Sequence, residues 1–200
     1  MTTKKRVREV PAPYAVAELF PPPGQWSEED YLALETNRIV ELSEGTLEVL
    51  EMPNDFHQLV VVRLIAALYA FVTAHKLGRV RVAPLRVRLW PGKFREPDLV
   101  FMAERRRDRI HKKYWDVPDL VVEVISSDDP ARDRVRKKSE YAQAGVSEYW
   151  IIDPEDQAIE IYRLRAKRYQ LHETFGVDST LTSPTLPGFS FSLAELFAEE

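Results

Sequence analysis

The hydrophobic pattern changes period several times along the chain. Residues 1–25 carry none: a basic stretch leads into Pro21-Pro22-Pro23, and the segment reads as an arm with a short helix over Ala15 to Phe20. Ser27 is placed to cap a helix, with Asp30 three positions on, Glu28 and Glu29 at its positive end, and Trp26 and Tyr31 spaced as a hydrophobic staple. The pattern carries this helix to near Asn37. Two short alternating stretches, Arg38 to Leu42 and Thr46 to Glu51, flank Ser43-Glu44-Gly45 and predict a hairpin. After Pro53-Asn54-Asp55, His57 to Lys76 reads as a long helix ended by Gly78; it is apolar nearly all round, which predicts burial on two sides. Arg79 to Leu89 reads as one or two strands with Pro84 marking a bend or an edge, and Pro91-Gly92 as a turn.

Strands follow at Pro97 to Met102 and Asp119 to Ile125, separated by a basic loop or short helix from Glu104 to Lys113. Pro130 to Ala144 is a helix capped by Asp129 and stopped by Gly145. Ser147 to Ile152 is a strand, Ala158 to Tyr162 and Tyr169 to Leu171 a hairpin, and Phe191 to Phe197 a final helical turn capped by Ser192. The central order of helix, three strands, helix and strand predicts an α/β (α+β) fold, a mixed β-sheet flanked by helices, in one domain over residues 26–200 behind the 1–25 arm.

Composition narrows the chemistry. At 44% hydrophobic and 30% charged, 200 residues suffice for a sizeable core. The chain has no cysteine, which excludes disulfides, thiolate metal sites and cysteine nucleophiles. His57, His75, His111 and His172 are scattered and form no zinc-protease pair. The longest uncharged apolar run, Leu64 to Ala74, falls short of the roughly 20 residues of a membrane span. No signal-like apolar run opens the chain, so a cytoplasmic protein without membrane attachment is expected. The net charge is −4, yet Lys76 to Lys113 holds thirteen Lys or Arg against four acids. That segment is either a nucleic-acid contact on an acidic body or a set of solvated strand faces.

Glu123 sits inside Leu120-Val121-Val122-Glu123-Val124-Ile125, a strand apolar on both faces. A carboxylate there must be paired, bind a cation, or reach water at the strand end. Asp98 opens a second apolar strand and reads alone as a strand-entry aspartate. Two acids at the ends of neighbouring buried strands together supply the hard oxygens that Mg²⁺ takes. On the next helix, Asp133, Lys137 and Tyr141 share one stripe. That stripe reads as an exposed ion pair on a basic face, or as a lysine aimed at the acids.

Arg38-Ile39-Val40-Glu41-Leu42, Phe56-His57-Gln58, Arg95-Glu96-Pro97-Asp98-Leu99-Val100, Leu120 to Ser126, and Asp133 through Lys137 and Tyr141 to Gly145-Val146-Ser147-Glu148-Tyr149-Trp150 occur in that order. The ordered set resembles the Uma-two family, a branch of the PD-(D/E)XK nuclease superfamily, over about residues 26 to 165. The resemblance implies a restriction-endonuclease-like core with Asp98 and Glu123 as metal carboxylates. The superfamily lysine two residues after the acid is replaced here by Ile125, and the family position in the following helix matches Lys137. Glu41 matches a family acid that is either a further metal ligand or an exposed ribbon residue. His57 matches too, as a phosphate contact or a solvated helix start.

The expected function is metal-dependent endonuclease cleavage of nucleic acid, DNA foremost, with Mg²⁺ or Mn²⁺. Asp98 and Glu123 would hold the metal, Lys137 would act on the reacting phosphate, and Glu41, His57 and Tyr141 would be additional site residues. The basic 79–113 segment would grip flanking phosphates. The competing expectation is a catalytically silent nuclease-like scaffold that binds nucleic acid or a protein partner. The apolar 57–76 helix and the family resemblance both point to a homodimer.

Overall fold

The computed structural model describes residues 20–126 and 129–198. Most of the expected arm and its short helix lie outside the described residues. Residues 24–26 fold against the first hairpin, where the Gly24 and Trp26 amides donate to the Gly45 carbonyl. Gly45 is required there: its φ is +76°, and a Cβ would stand 2.5 Å from the Gly24 oxygen.

Helix α1 (Glu28–Ala33) begins with a reciprocal Ser27–Asp30 capping box. It stops at Leu34, short of Asn37, because Leu34 turns extended to pack on Tyr31, Val40, Leu42 and Phe94. Strands β1 (Val40–Ser43) and β2 (Thr46–Val49) turn on Glu44 and Gly45, both left-handed. Helix α2 (Asp55–Ala74) is capped by Asn54, whose side chain accepts the His57 amide. It ends at His75, with Lys76 taking the left-handed turn, and Gly78 instead starts β3 (Gly78–Val82).

Strands β4 (Val87–Trp90) and β5 (Lys93–Arg95) form the next hairpin. Next come β6 (Leu99–Ala103), a 3₁₀ turn over Glu104–Arg109, β7 (Trp115–Asp116) and β8 (Leu120–Val124). A π-helical turn, Arg132–Lys137, opens into α3 (Lys138–Ala144) and leads to β9 (Glu148–Asp153). The long hairpin β10 (Ala158–Arg165) and β11 (Arg168–Phe175), the small pair β12 (Thr180–Thr182) and β13 (Ser190–Ser192), and α4 (Leu193–Phe197) complete the fold.

The main sheet has the order β11-β10-β9-β8-β6-β3, with β8 and β9 parallel and the other pairs antiparallel. A second sheet, β2-β1-β5-β4-β7, stands beside it. One face of the main sheet packs Leu99, Phe101, Val122 and Trp150 under α2 and α4. The other packs Val100, Met102, Val121 and Ile151 with Tyr141 of α3. Covering both faces is why β6 and β8 read as unbroken apolar runs.

Two-sided burial of α2 is not found. It buries the single line Val60, Leu64, Leu68 and Val72, while Val62 and Tyr69 are more than half exposed. Its all-round apolarity comes partly from small alanines that need no cover. By length and mean hydropathy (1.7), α2 also meets the composition of a membrane span. Here, however, one side packs on the sheet, and Arg63 donates to the Leu196 and Ala198 carbonyls.

Candidate active site

Asp98 stands one register step beyond the Leu99–Val122 pair, which sets it across the ladder from Glu123. Directly opposed residues share a face, and the neighbours Val121 and Ile125 place that face under α3. The Asp98 carboxylate is fixed by two groups: Oδ2 accepts the Val124 amide at 2.8 Å, and Oδ1 lies 3.0 Å from His57 Nε2. Glu123 is buried; its Oε1 accepts the Tyr141 hydroxyl at 2.6 Å and its Oε2 lies 2.9 Å from Lys137 Nζ. Lys137 Nζ is also 3.0 Å from Asp133 Oδ1 and 4.0 Å from Glu41 Oε1.

Asp98, Glu123, Lys137, His57 and Asp133 all line one cleft of about 660 Å³. Tyr141 and Glu41 stand behind its wall. Both are fully buried, so the reading of Glu41 as an exposed ribbon residue is corrected. His57 is likewise no solvated helix start, its ring being mostly buried against Asp98.

The helix after β8 differs from its expected form. An exposed Asp133–Lys137 pair was one reading of the sequence, yet both side chains are buried in the π-helical turn. A π turn carries more residues per revolution than an α turn. Arg134 and Arg136 point outward to Asp153 and Glu160 and to Glu48, while Arg132 lines the cleft and reaches Glu48 and the buried Glu41. Lys138 lies over the Tyr162 ring, 3.5 Å from its centre.

A second network braces this wall. Arg95, fully buried, holds Glu140 through Nε (2.7 Å) and Nη2 (2.9 Å), and Glu41 through Nη1 (2.7 Å). Lys93 joins Glu140 at 2.7 Å, and the Glu96 amide donates to Glu41. Arg95 therefore ties β1 to α3 at the residue preceding Tyr141. Sequence reasoning gave Arg95 no role, its one signal being its place in the same motif as Asp98, and it put Asp133 on the Lys137 stripe without assigning it to the site.

The charges are unequal. Burial raises the Glu123 carboxyl to about 8; Lys137 opposes this, and the like charges of Asp133 and Asp98 add to it. Burial likewise raises Asp133 against the pull of Lys137. Burial works against the Lys137 cation, but Glu123, Asp133, Glu41 and Asp98 outweigh it and hold its proton firmly. One lysine serves several carboxylates and is held charged by them, while burial above all, and then the neighbouring acids, push Glu123 towards neutrality. Burial raises Glu41 too, yet Lys137, Arg95 and Arg132 overcome this and its carboxyl ends below the usual range.

Among the described residues no three His, Asp or Glu side chains form a ready-made metal cage. Mg²⁺ does not need one, since it binds through one or two carboxylates and completes its shell with water and substrate phosphate. The hard oxygens of Asp98 and Glu123, together with a local deficit of positive charge, fit such a cation.

The basic 79–113 segment does not face this cleft as a whole. Arg86 pairs with Glu96, Arg88 with Glu28, and Arg105 and Arg106 with Asp119. Asp119 lies at the end of the sheet away from Glu123. Apart from Arg132, Lys137 and titratable His57, the charged groups lining the cleft are acids.

The family model of Uma2, described as a putative restriction endonuclease, matches residues 28–194. The chain belongs to the Uma2 family. A solved structure, that of a putative nuclease belonging to DUF820 from Anabaena variabilis ATCC 29413, superposes with a TM-score of 0.70 at 21% identity. The match covers 84% of this chain and 96% of that one, and it establishes a shared fold. No curated protein matches. In this Uma2 chain the segments that carried the resemblance converge on the cleft: the Glu41 strand, the His57 helix start and the Asp98, Glu123 and Lys137 segments.

Proposed function

We propose that the cleft hydrolyses nucleic-acid phosphodiester bonds, DNA foremost, with Mg²⁺ or Mn²⁺ held by Asp98 and Glu123. The observation that carries this reading is the buried Glu123–Lys137–Asp133 cluster across the ladder from Asp98, whose carboxylates outnumber its one cation. When bound, the cation supplies a water of lowered pKa and neutralises charge on the scissile phosphate. The Val124 amide and His57 orient Asp98, and Tyr141 orients Glu123. Lys137 keeps its proton and donates towards charge developing on the phosphate rather than acting as a base. Arg95, through Glu140 and Glu41, holds the helix that carries Lys137. The acid lining repels bare phosphate, so substrate enters only once the cleft's charge is offset. The proposed enzyme is a cytoplasmic homodimer; light scattering that finds only a 23 kDa species removes the dimer.

The test is cleavage of supercoiled DNA and of RNA by wild type, Asp98→Asn and Glu123→Gln in Mg²⁺, Mn²⁺ and EDTA. Products are expected only for wild type with metal. Equal cleavage by both variants overturns the reading, and metal binding without hydrolysis favours the silent scaffold.

A further inference from the structure

The registers of the main sheet sort the charges of the molecule by end. Glu123, Asp98 and Asp153 mark one end, where β8 and β9 finish and β6 begins. The other end is where β6 finishes at Ala103, β8 and β9 begin, β3 begins at Gly78, and the β10–β11 hairpin turns. Arg163 is opposite Glu148, the first residue of β9, so Arg165 to Arg168 project past the sheet. The tip sequence, Arg163-Leu164-Arg165-Ala166-Lys167-Arg168, contains four cations and no acid. Arg165, Lys167 and Arg168 are exposed, and among the described residues none has an acidic partner.

The turn is made by Ala166 and Lys167, both at positive φ (46° and 64°), positions that Asn and Gly normally fill. The turn closes the Arg165–Arg168 rung of the hairpin and holds the tip cations in place. Beyond the last rung of β9, residues Arg165, Ala166, Lys167 and Arg168 are all exposed. At the other edge of the same end, Lys76 and Arg79 flank the start of β3, and the Arg105–Arg107 turn follows β6. The two basic groups are separated by the width of six strands, about 24 Å. The electrostatic field of the molecule therefore runs from an acid-lined cleft to a basic far end.

We infer that this basic end of the sheet, centred on Arg165, Lys167 and Arg168, is a docking surface for a nucleic-acid backbone, separate from the cleft. The exposed tip cations Arg165, Lys167 and Arg168, with exposed Lys76 at the opposite edge, can each meet a phosphate of a duplex laid across this end and release its counterions. Contact of this kind carries no sequence information and holds the polymer near the enzyme while the acid-lined cleft, which repels it, is loaded with cation. The choice of nucleic acid among polyanions rests on the nuclease reading; the surface itself does not.

The experiment measures binding of a labelled DNA duplex of about 30 base pairs, longer than the sheet end is wide, in EDTA as a function of salt. It compares wild type, Arg165→Gln/Lys167→Gln/Arg168→Gln and Lys76→Gln/Arg79→Gln, with thermal melts to verify folding. The triple variant is expected to bind at least tenfold more weakly at about 0.1 M salt, its log–log salt slope smaller by about 3. The double variant is expected to show a smaller loss of the same kind. Hydrolysis of a short oligonucleotide in Mg²⁺ stays unchanged in both. Unaltered affinity and slope in the triple variant overturn the inference. So does binding to phosphatidylserine vesicles without binding to duplex, or a self-association that the triple variant abolishes while duplex binding persists. Loss of duplex binding in the variants with no hydrolysis by any form would retain the surface and remove the nuclease reading.

Discussion

Replacing Glu123 by Gln keeps the shape of the side chain and the Tyr141 hydrogen bond but removes the charge. In the cation-free protein the Glu123 carboxyl is raised by burial from 4.5 to about 8. At 1.36 kcal/mol for each pH unit, that difference is worth up to about 5 kcal/mol. The folded chain binds more protons than the unfolded chain between these two values, so stability falls as pH rises through that window. Urea unfolding of wild type in EDTA is therefore expected to lose several kcal/mol between about pH 5 and about pH 9. Glu123→Gln is expected to lose much less and to be the more stable protein at the alkaline end. The proton is shared across the Glu123, Asp133 and Lys137 cluster, so the midpoint belongs to the group. Adding Mg²⁺ at alkaline pH should raise the wild-type midpoint and leave the variant unmoved. The reasoning is refuted if Glu123→Gln is less stable by about 3–5 kcal/mol at every pH, with or without Mg²⁺, the mark of a structural ion-pair partner.

Lys137→Met leaves Glu123 and Asp133 facing each other without their cation; it is expected to cost about 3–5 kcal/mol in EDTA, to be partly rescued by Mg²⁺ in a thermal melt, and to lose hydrolysis. Tyr141→Phe removes a donor that favours the ionised Glu123, so the stability titration should move to higher pH, with a loss of about 1.5–3 kcal/mol where Glu123 is charged. Arg95→Met removes the buried guanidinium that Glu41 and Glu140 share, leaving Glu41 to Arg132 and Lys137 and Glu140 to Lys93, and should cost about 3 kcal/mol by urea unfolding at every metal concentration. Glu148→Ala unpairs the Trp150 indole, the Ser183 hydroxyl and the Thr185 amide, and hydrogen exchange should quicken over residues 180–192.

Asp98 and Glu123 were legible because an acid inside an apolar strand is an anomaly that pattern alone exposes. Their meeting was not, since it depends on the register of β6 with β8. Lys137 was found through family resemblance. Its burial was hidden by the basic residues around it: Arg132, Arg134 and Arg136 are spread round the same turn, so the stripe shared by Asp133 and Lys137 reads as a solvated face until its packing against Glu123 is seen. Arg95 was indistinguishable from the other arginines alternating along Arg79 to Arg95, because its partners Glu41 and Glu140 lie far away in sequence. The same alternation made the basic segment look like one phosphate grip, whereas several of those arginines are paired within the fold. The free cations at the β10–β11 tip fell within a hairpin whose strands prove longer than their apolar cores suggested.

The account's central claim is that Asp98 and Glu123 share a divalent cation. Anomalous diffraction from crystals soaked in Mn²⁺ at a pH above about 8, where Glu123 is ionised, tests it most directly. The expected result is a peak in the cleft about 2.1–2.2 Å from carboxylate oxygens of both residues, absent from Glu123→Gln crystals. A cleft without a peak at saturating Mn²⁺, or a peak touching neither Asp98 nor Glu123, would contradict it.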